Sequence, residues 1–187
     1  DEAYYFLGRM AEEENEPEEA IANYMQVAGG QEYLAALSRI GQILVDGGQL
    51  DRSHAWFNEQ REKYPQQNVQ LYGLEADILT RAGATSNALQ ILDQALATMP
   101  DDTALRYARA MVREQQDDLV GMEKDLRTIL AADPDNATAL NALGYTLADR
   151  TTRYQEALEL VSRALELQPQ EPAILDSMGW VLFRMGR

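Results

Sequence analysis

An internal repeat constrains the fold of this chain more than any other feature. Prolines recur with spacings of 35, 34 and 35 residues, and small residues recur with a similar step. The prolines are Pro65, Pro100, Pro134 and Pro169, and the small residues are Gly8, Gly41, Ala76, Ala110, Gly144 and Gly179. A period of this length is typical of repeat proteins, in which each unit buries its apolar face only against its neighbours.

Each period contains the pattern of two helices. Leu140, Leu143 and Leu147 follow the i, i+3, i+7 spacing of one apolar helix face. A second apolar face runs through residues 154–167 of the same period. Turn residues such as Gly47-Gly48 separate two segments of this kind, and the recurring proline ends the second, because proline lacks an N–H donor and clashes with the preceding turn. We therefore predict an all-α fold built from helix–turn–helix pairs.

A unit of this length and pattern resembles the tetratricopeptide repeat (TPR). The segments that carry the resemblance include Phe6-Leu7-Gly8, Leu143-Gly144-Tyr145 and Met178-Gly179-Trp180. The resemblance covers the whole chain and implies a right-handed TPR superhelix (an α-solenoid) of five helix–turn–helix repeats plus one unpaired C-terminal helix. We expect a single solenoid over residues 1–187, with repeats at 1–33, 34–68, 69–102, 103–136 and 137–171 and a partial repeat at 172–187. Because the chain stops inside the sixth repeat, we expect it to be a fragment of a longer protein.

Three repeats depart from the pattern. The first lacks the terminal proline and has Gly29-Gly30 near that place. The fourth carries Arg106 and Arg113 where apolar residues are usual, although Tyr107 and Met111 still give its first helix an apolar face. This pattern also allows that helix to be displaced by one residue. The fifth repeat contains one extra residue near Thr151, at the turn between its helices.

The composition excludes several classes of function. The chain has 31 acidic and 16 basic residues, a formal net charge of −15, one histidine and no cysteine. Binding to a phosphate backbone needs lysine and arginine, so we expect no nucleic-acid partner. Disulfides, thiolate zinc sites and multi-histidine metal sites need residues that the chain lacks. No apolar run reaches the about 18 residues that a membrane-spanning helix requires, so we expect no membrane span.

No catalytic motif can be recognised. His54 has no motif partner that would orient it as a general base, so we interpret it as a partly exposed helix residue. The acidic run at residues 12–19 lacks the ligand spacing of a calcium loop and is interpreted as a solvated turn. Neither a Gly-x-Ser-x-Gly elbow nor a phosphate-binding glycine loop occurs. We predict a chain that is not an enzyme, with no catalytic residue, no cofactor and no metal site.

The resemblance also implies where a partner binds, because the first helix of each TPR lines a concave groove. Clustered aromatic side chains are the usual anchors for a peptide or a partner helix. The groove residues that we select as a protein-binding site are Tyr107, Met111, Tyr145, Asp149, Trp180, Phe183 and Arg184. No lysine falls on the predicted groove, which argues against the TPR subtype that grips a C-terminal carboxylate. For Trp180 and Phe183, packing against a further repeat is an equally good interpretation.

The last helix is rich in apolar side chains that a further repeat would cover. We expect this helix to expose apolar surface and to permit a homo-oligomer. The residues predicted for self-association are Leu175, Met178, Leu182 and Met185.

A narrower resemblance appears in the last third of the chain. Residues 141–157 and 174–181 resemble proteobacterial TPR lipoproteins of the outer membrane, most closely the lipoprotein adaptor of a periplasmic carboxyl-terminal processing protease. The resemblance implies a periplasmic protein, anchored to the outer membrane at full length, that assembles the protease with peptidoglycan hydrolases. We therefore expect a non-catalytic scaffold or adaptor with a protein or peptide partner. A self-association module, or a regulatory domain of a larger enzyme, is the alternative.

Overall fold

The computed structural model describes residues 1–186, and within that range it contains eleven α-helices, one short 3₁₀ turn and no β-strand. The helices are α1 (Glu2–Glu13), α2 (Pro17–Tyr24), α3 (Tyr33–Asp46), α4 (Leu50–Lys63), α5 (Asn68–Arg81), α6 (Thr85–Thr98), α7 (Thr103–Gln115), α8 (Leu119–Ala132), α9 (Ala137–Arg150), α10 (Tyr154–Leu167) and α11 (Pro172–Arg184). The 3₁₀ turn, Pro65–Gln67, lies between α4 and α5. Five helix pairs are therefore followed by α11, as the period predicted, and the all-α class is confirmed.

The chain divides into two compact units. The first unit is Asp1–Leu105 and contains α1 to α6. The second unit is Arg106–Arg187 and contains most of α7 together with α8 to α11. In the first unit, consecutive helices from α1 to α6 pack against each other, and in the second unit those from α8 to α11 do the same, as short connections favour.

Most of the turns inside the helix pairs use a residue in the left-handed backbone region. Asn15 (φ 60°), Gly48 (φ 72°), Gly83 (φ 79°) and Asp117 (φ 61°) occupy this position in the first four pairs. Glycine adopts this conformation without a steric penalty, and asparagine and aspartate tolerate it better than other residues do. In the fifth pair the extra residue changes the turn, because Thr151 is extended (φ −138°).

Side-chain caps fix the starts of two helices in the second unit. The carboxylate of Asp118 accepts a hydrogen bond from the backbone N–H of Gly121 at 2.9 Å, at the start of α8. The side-chain oxygen of Asn136 accepts one from the N–H of Ala139 at 3.0 Å, at the start of α9. Each cap satisfies a donor that a helix start otherwise leaves unpaired.

The repeat period places one large buried residue in the second helix of each pair. These residues are at most 1% exposed and occupy equivalent positions, namely Tyr24, Phe57, Leu92, Leu126 and Val161. In three pairs the large residue contacts the small residue of the first helix. A Cβ atom built on Gly8 would lie 2.6 Å from the Tyr24 ring, and one on Gly41 would lie 2.7 Å from the Phe57 ring. The helices cross too closely at these points to admit a further side-chain atom.

We expect Gly144→Ala to lower the free energy of unfolding by about 1–3 kcal/mol, the usual cost of overpacking a core. An added Cβ would lie 2.6 Å from Cγ2 of Val161 and 3.0 Å from the carbonyl oxygen of Ala157. The second contact is with backbone, so rotation of a side chain cannot relieve it. Urea unfolding followed by circular dichroism measures the change.

Gly179→Ala is the matched control, because Gly179 holds the equivalent position on α11. No heavy atom lies within 4 Å of a Cβ built there. Alanine in the interior of a helix is more favourable than glycine by about 0.5–1 kcal/mol, so this variant should be slightly more stable than the parent. Equal effects of the two substitutions would contradict the helix-crossing explanation for Gly144.

The arginines that depart from the repeat pattern bind a buried carboxylate. Asp125 of α8 has a side chain only 2% exposed. It accepts hydrogen bonds from Nη2 of Arg109 at 2.6 Å and from Nη1 of Arg113 at 2.8 Å, and Nη1 of Arg106 lies 3.5 Å away. α7 keeps the register of the repeat, since Ala110 is fully buried at the predicted position. The one-residue displacement that the sequence allowed is therefore not observed.

A second buried carboxylate lies in the first unit. Glu75 of α5 is 1% exposed. Its Oε2 accepts a hydrogen bond from Nη1 of Arg61 at 2.7 Å, and its Oε1 lies 2.8 Å from Nδ1 of His54. Asn58 joins both partners, with its Nδ2 at 3.0 Å from Nε2 of His54 and its Oδ1 accepting from Arg61 at 2.7 Å. His54 is partly exposed, as predicted, but it has an oriented partner that the sequence pattern did not indicate.

Candidate functional site

A cavity of about 780 Å³ opens on the second unit among α7, α9 and α11. These are first helices of their repeats, the helices on which the resemblance to the TPR implied a binding surface. The residues that line this cavity are Tyr107, Met111, Glu114, Thr138, Asn141, Ala142, Tyr145, Thr146, Gln168, Glu171, Ala173, Ile174, Asp176, Ser177 and Trp180.

Aromatic and aliphatic side chains form most of the wall. Tyr107 and Met111 are half-buried against the core of the second unit, as is Trp180. Tyr145 is 42% exposed. Burial raises the pKa of the Tyr107 phenol above its usual value, so this group is a neutral hydrogen-bonding side chain at physiological pH. Half-exposed aromatic rings of this kind provide large contact area at a small cost in conformational entropy.

Two buried polar atoms in the wall have no hydrogen-bond partner among the described residues. They are the side-chain oxygen Oδ1 of Asn141 and the indole nitrogen Nε1 of Trp180. They are also the only such side-chain atoms within residues 106–186. A buried polar atom without a partner costs about 1–3 kcal/mol, so a group that pairs with either atom is favoured to bind there.

The charged residues in the wall are all acidic. Glu114, Glu171 and Asp176 line the cavity, and none of the lining residues is lysine, arginine or histidine. Glu114 has a partner, since its Oε1 lies 3.5 Å from Nη1 of Arg150. Within the described residues, Glu171 and Asp176 form no ion pair, and both are exposed. The site therefore presents a negative potential to a ligand.

The structure brings together four of the seven predicted groove residues. Tyr107, Met111, Tyr145 and Trp180 all line the cavity. Phe183 does not line it; this residue is 67% exposed and stacks on Trp180, with 5.4 Å between ring centroids.

The remaining two predicted groove residues bind each other at one side of the unit. Nη1 of Arg184 donates a hydrogen bond to the backbone oxygen of Asp149 at 2.7 Å and lies 3.6 Å from its carboxylate. The guanidinium of Arg184 also lies 5.8 Å from the Trp180 ring centroid. These contacts hold Arg184 beside the cavity wall, so it supports the wall and does not line it.

The residues predicted for self-association differ in exposure. Leu175 is 48% exposed. Met178 and Met185 pack partly against the core of the second unit, and Leu182 is half-buried. Self-association through this helix stays a prediction. Leu175 and Phe183 are the most exposed large apolar side chains of α11.

The segment before α11 contributes residues that the sequence did not single out. Gln168 and Glu171 belong to the connection between α10 and α11, and Ile174 lies in the first turn of α11. The predicted groove positions lie only on the first helix of each repeat, so they do not include residues of a connecting segment. Glu171 sits immediately before Pro172, which begins α11, and a helix start beside a groove is the signal that would have found it.

Other kinds of site were sought in the described part of the chain. No cluster of three or more histidine, cysteine, aspartate or glutamate side chains there has the arrangement to hold a metal ion. None of the helices in residues 1–186 has the length and apolar character needed to cross a membrane. The buried Glu75 lines a second, smaller cavity of about 150 Å³ in the first unit, together with His54.

Two segments of the chain match models of the tetratricopeptide repeat. Models of the repeat match residues 1–29 and 123–172. The chain is 45% identical over 187 residues to a TPR repeat-containing protein of Pseudomonas aeruginosa. That alignment covers 100% of this chain and 32% of the relative, so the chain spans only part of the length of that protein.

Solved structures show the same fold at low sequence identity. A thermophilic TPR protein of Thermus thermophilus matches with a TM-score of 0.63 and 18% identity, over 97% of this chain and 98% of that one. The first TPR of Spaghetti (RPAP3), bound to the HSP90 peptide SRMEEVD, matches with a TM-score of 0.58 and 16% identity, over 65% of this chain and 95% of that one. The TPR fold is thereby confirmed.

Proposed function

We propose that this chain, which has the TPR fold, is a non-catalytic protein-interaction module whose second unit binds a peptide segment of a partner. TPR proteins act as scaffolds for protein–protein interaction, and the RPAP3 repeat is bound to a peptide. The observation that carries the proposal is the cavity wall. It combines the aromatic side chains of Tyr107, Tyr145 and Trp180 with two buried polar atoms that have no partner.

An extended peptide matches the chemistry of this wall. Its backbone offers N–H donors and C=O acceptors at short intervals. One of each would satisfy Oδ1 of Asn141 and Nε1 of Trp180 once rotation of these side chains exposes the two buried atoms. Its side chains would pack on the aromatic surface. The cavity volume of about 780 Å³ lies in the range of binding sites for compact ligands. Because the wall is built on helices, little ordering entropy is lost when a ligand binds.

We expect Tyr145→Ala to weaken peptide binding by about 1–3 kcal/mol, because Tyr145 is an exposed aromatic anchor in the cavity wall. The probe is a displayed library of random 12-residue peptides selected on the wild-type chain. The dissociation constant of the most enriched peptide is then measured by isothermal titration calorimetry with both proteins.

Tyr4→Ala is the matched control for that substitution. Tyr4 is 44% exposed but lies on α1, in the first unit, and does not line the cavity. This variant should bind the selected peptide as the wild type does. If Tyr145→Ala bound the peptide equally well, or if no peptide were enriched over the Tyr145→Ala protein, the proposed groove would be incorrect.

We further propose that the full-length protein is a periplasmic adaptor, anchored to the outer membrane, that assembles a carboxyl-terminal processing protease with peptidoglycan hydrolases. The support is the resemblance of residues 141–157 and 174–181 to lipoproteins of that kind. An affinity pull-down from a periplasmic extract, read by mass spectrometry, tests this role. Recovery of the protease or of hydrolases on wild-type bait, with loss on the Tyr145→Ala bait, is expected. Recovery of neither class would count against the adaptor role.

Self-association through α11 is a second candidate, favoured by the exposure of Leu175 and Phe183. Light scattering over a range of concentrations tests it. Association that Leu175→Glu abolishes would support this function. A species that stays monomeric at high concentration would exclude it.

A further inference from the structure

The charged side chains that line the cavity of the second unit are all acidic. Three carboxylates line it, those of Glu114, Glu171 and Asp176. Only Glu114 has a basic partner among the described residues, Arg150, at 3.5 Å. Glu171 and Asp176 therefore leave two negative charges at the wall without a counter-ion in residues 1–186.

The arginines next to the cavity are held by other acids. Arg184 is bound to the carboxylate and the backbone oxygen of Asp149. Arg150 pairs with Glu114 and with Asp117. A ligand carboxylate would thus meet acidic groups in the wall and no cation that lines it, and the desolvation of that carboxylate would be uncompensated.

The same wall offers two kinds of group that attract a cation. Glu171 and Asp176 lie five positions apart, one directly before α11 and one in its second turn. The Trp180 ring follows one helical turn after Asp176. Carboxylates and an aromatic ring on one surface favour an ammonium or guanidinium group through ion pairing and cation–π attraction. Tyr107 and Met111 of α7, in the same cavity, provide apolar surface.

We infer that the occupant of this cavity is an internal peptide segment in which a lysine or arginine lies next to an aliphatic or aromatic residue. The inference rests on the proposed function and adds the class of peptide. The basic side chain lies against Glu171 and Asp176, and the apolar side chain packs on Tyr107 and Met111. The backbone between them pairs with Oδ1 of Asn141 and Nε1 of Trp180 after these side chains rotate to expose the two atoms.

The test uses Trp180 as its own reporter. The chain contains two tryptophans, so Trp56→Phe leaves Trp180, which lines the cavity, as the sole indole fluorophore. The probes are the most enriched 12-residue peptide from the displayed library, made with acetylated and amidated ends, and its analogues with the basic residue replaced by glutamine or glutamate. Blocked ends ensure that the measured charge belongs to a side chain and not to a terminus.

We expect enriched peptides to share a basic residue beside an apolar one. In fluorescence titrations the glutamate analogue should bind at least about tenfold more weakly than the parent peptide. The preference for the basic peptide should fall with added salt, since the acidic groups are exposed. It should also fall several-fold in the double variant Glu171→Gln/Asp176→Asn.

A matched double variant controls for net charge. Asp135 and Glu166 are exposed acids of the second unit that pair with Arg163 and do not line the cavity. The variant Asp135→Asn/Glu166→Gln removes the same two charges and should keep the wild-type preference. Circular dichroism spectra of all variants verify that each is folded.

The possible outcomes distinguish failure of this inference from failure of the proposed function. Enriched peptides that are neutral or acidic, yet lose binding to the Tyr145→Ala protein, would overturn the inference and leave the peptide-binding function in place. A basic preference that is equal in both double variants would also overturn it, because Glu171 and Asp176 would not be its source. No enrichment over the Tyr145→Ala protein would overturn both.

Discussion

Asp125→Asn is expected to lower the free energy of unfolding by about 3–5 kcal/mol, the cost of removing one partner from a buried ion pair. The carboxylate of Asp125 is 2% exposed and lies within 3.5 Å of guanidinium groups of Arg106, Arg109 and Arg113. Asparagine has nearly the same shape, but it removes the negative charge these arginines share and turns an N–H₂ group toward their donors. Urea unfolding in the Trp56→Phe background, followed by the fluorescence of Trp180 in the same unit, measures the change.

Asp135→Asn is the control for that variant. Asp135 also pairs with an arginine of the second unit, Arg163, at 2.7 Å, but its side chain is 59% exposed. Exposed pairs contribute little to stability, because water screens both charges. If the two variants lost equal stability, burial would not be the reason for the importance of Asp125.

Glu75→Gln is expected to have a comparable effect in the first unit, about 3–5 kcal/mol. Glu75 is the acidic centre of a cluster with Arg61 and His54, and Arg61 is itself only 5% exposed. Glutamine would leave the buried guanidinium of Arg61 without its counter-ion. The guanidinium also lies 4.1 Å from the Tyr72 ring centroid, so its displacement would disturb packing of α5. In a Trp180→Phe background, Trp56 of the first unit is the reporter for urea unfolding of this variant.

Asp77→Asn serves as the control on the same helix. Asp77 pairs with Arg81 at 2.7 Å one turn further along α5, and both side chains are more than half exposed. The substitution should leave the unfolding midpoint nearly unchanged. A small effect of Glu75→Gln, similar to that of Asp77→Asn, would show that the buried cluster is not stabilising.

Helical periodicity is the reason why part of the site could be predicted from the sequence. Position within a repeat determines which face of the first helix a side chain occupies, so Tyr107, Met111, Tyr145 and Trp180 could be assigned to one surface before any coordinates were known. The same rule applied equally to Phe183, which instead stacks outside the cavity. Periodicity gives the face of a helix but not the side-chain rotamer or the local partners.

The charged clusters could not be predicted in the same way. Arg106 and Arg113 interrupt the apolar pattern of α7, and their common partner Asp125 lies on the next helix. Nothing in the spacing of single residues indicates that three arginines meet one carboxylate. Glu171 was not predicted as a site residue for a related reason, because it lies in a connecting segment to which helical periodicity does not apply.

The sequence by itself determined the helix pairs, their turns and the small residues at helix crossings, since all three follow from local chemistry repeated at one period. The tertiary structure alone decided which of these positions are crowded. Gly144 faces Val161 at a helix crossing, whereas the equivalent Gly179 has no atom within 4 Å of its missing Cβ. It also decided which acids are paired and which stay available to a ligand. Asp125 is paired with arginines, whereas Asp176 lines the cavity without an ion-pair partner among the described residues. Burial and pairing depend on contacts between distant segments, and those contacts exist only after the helices have packed.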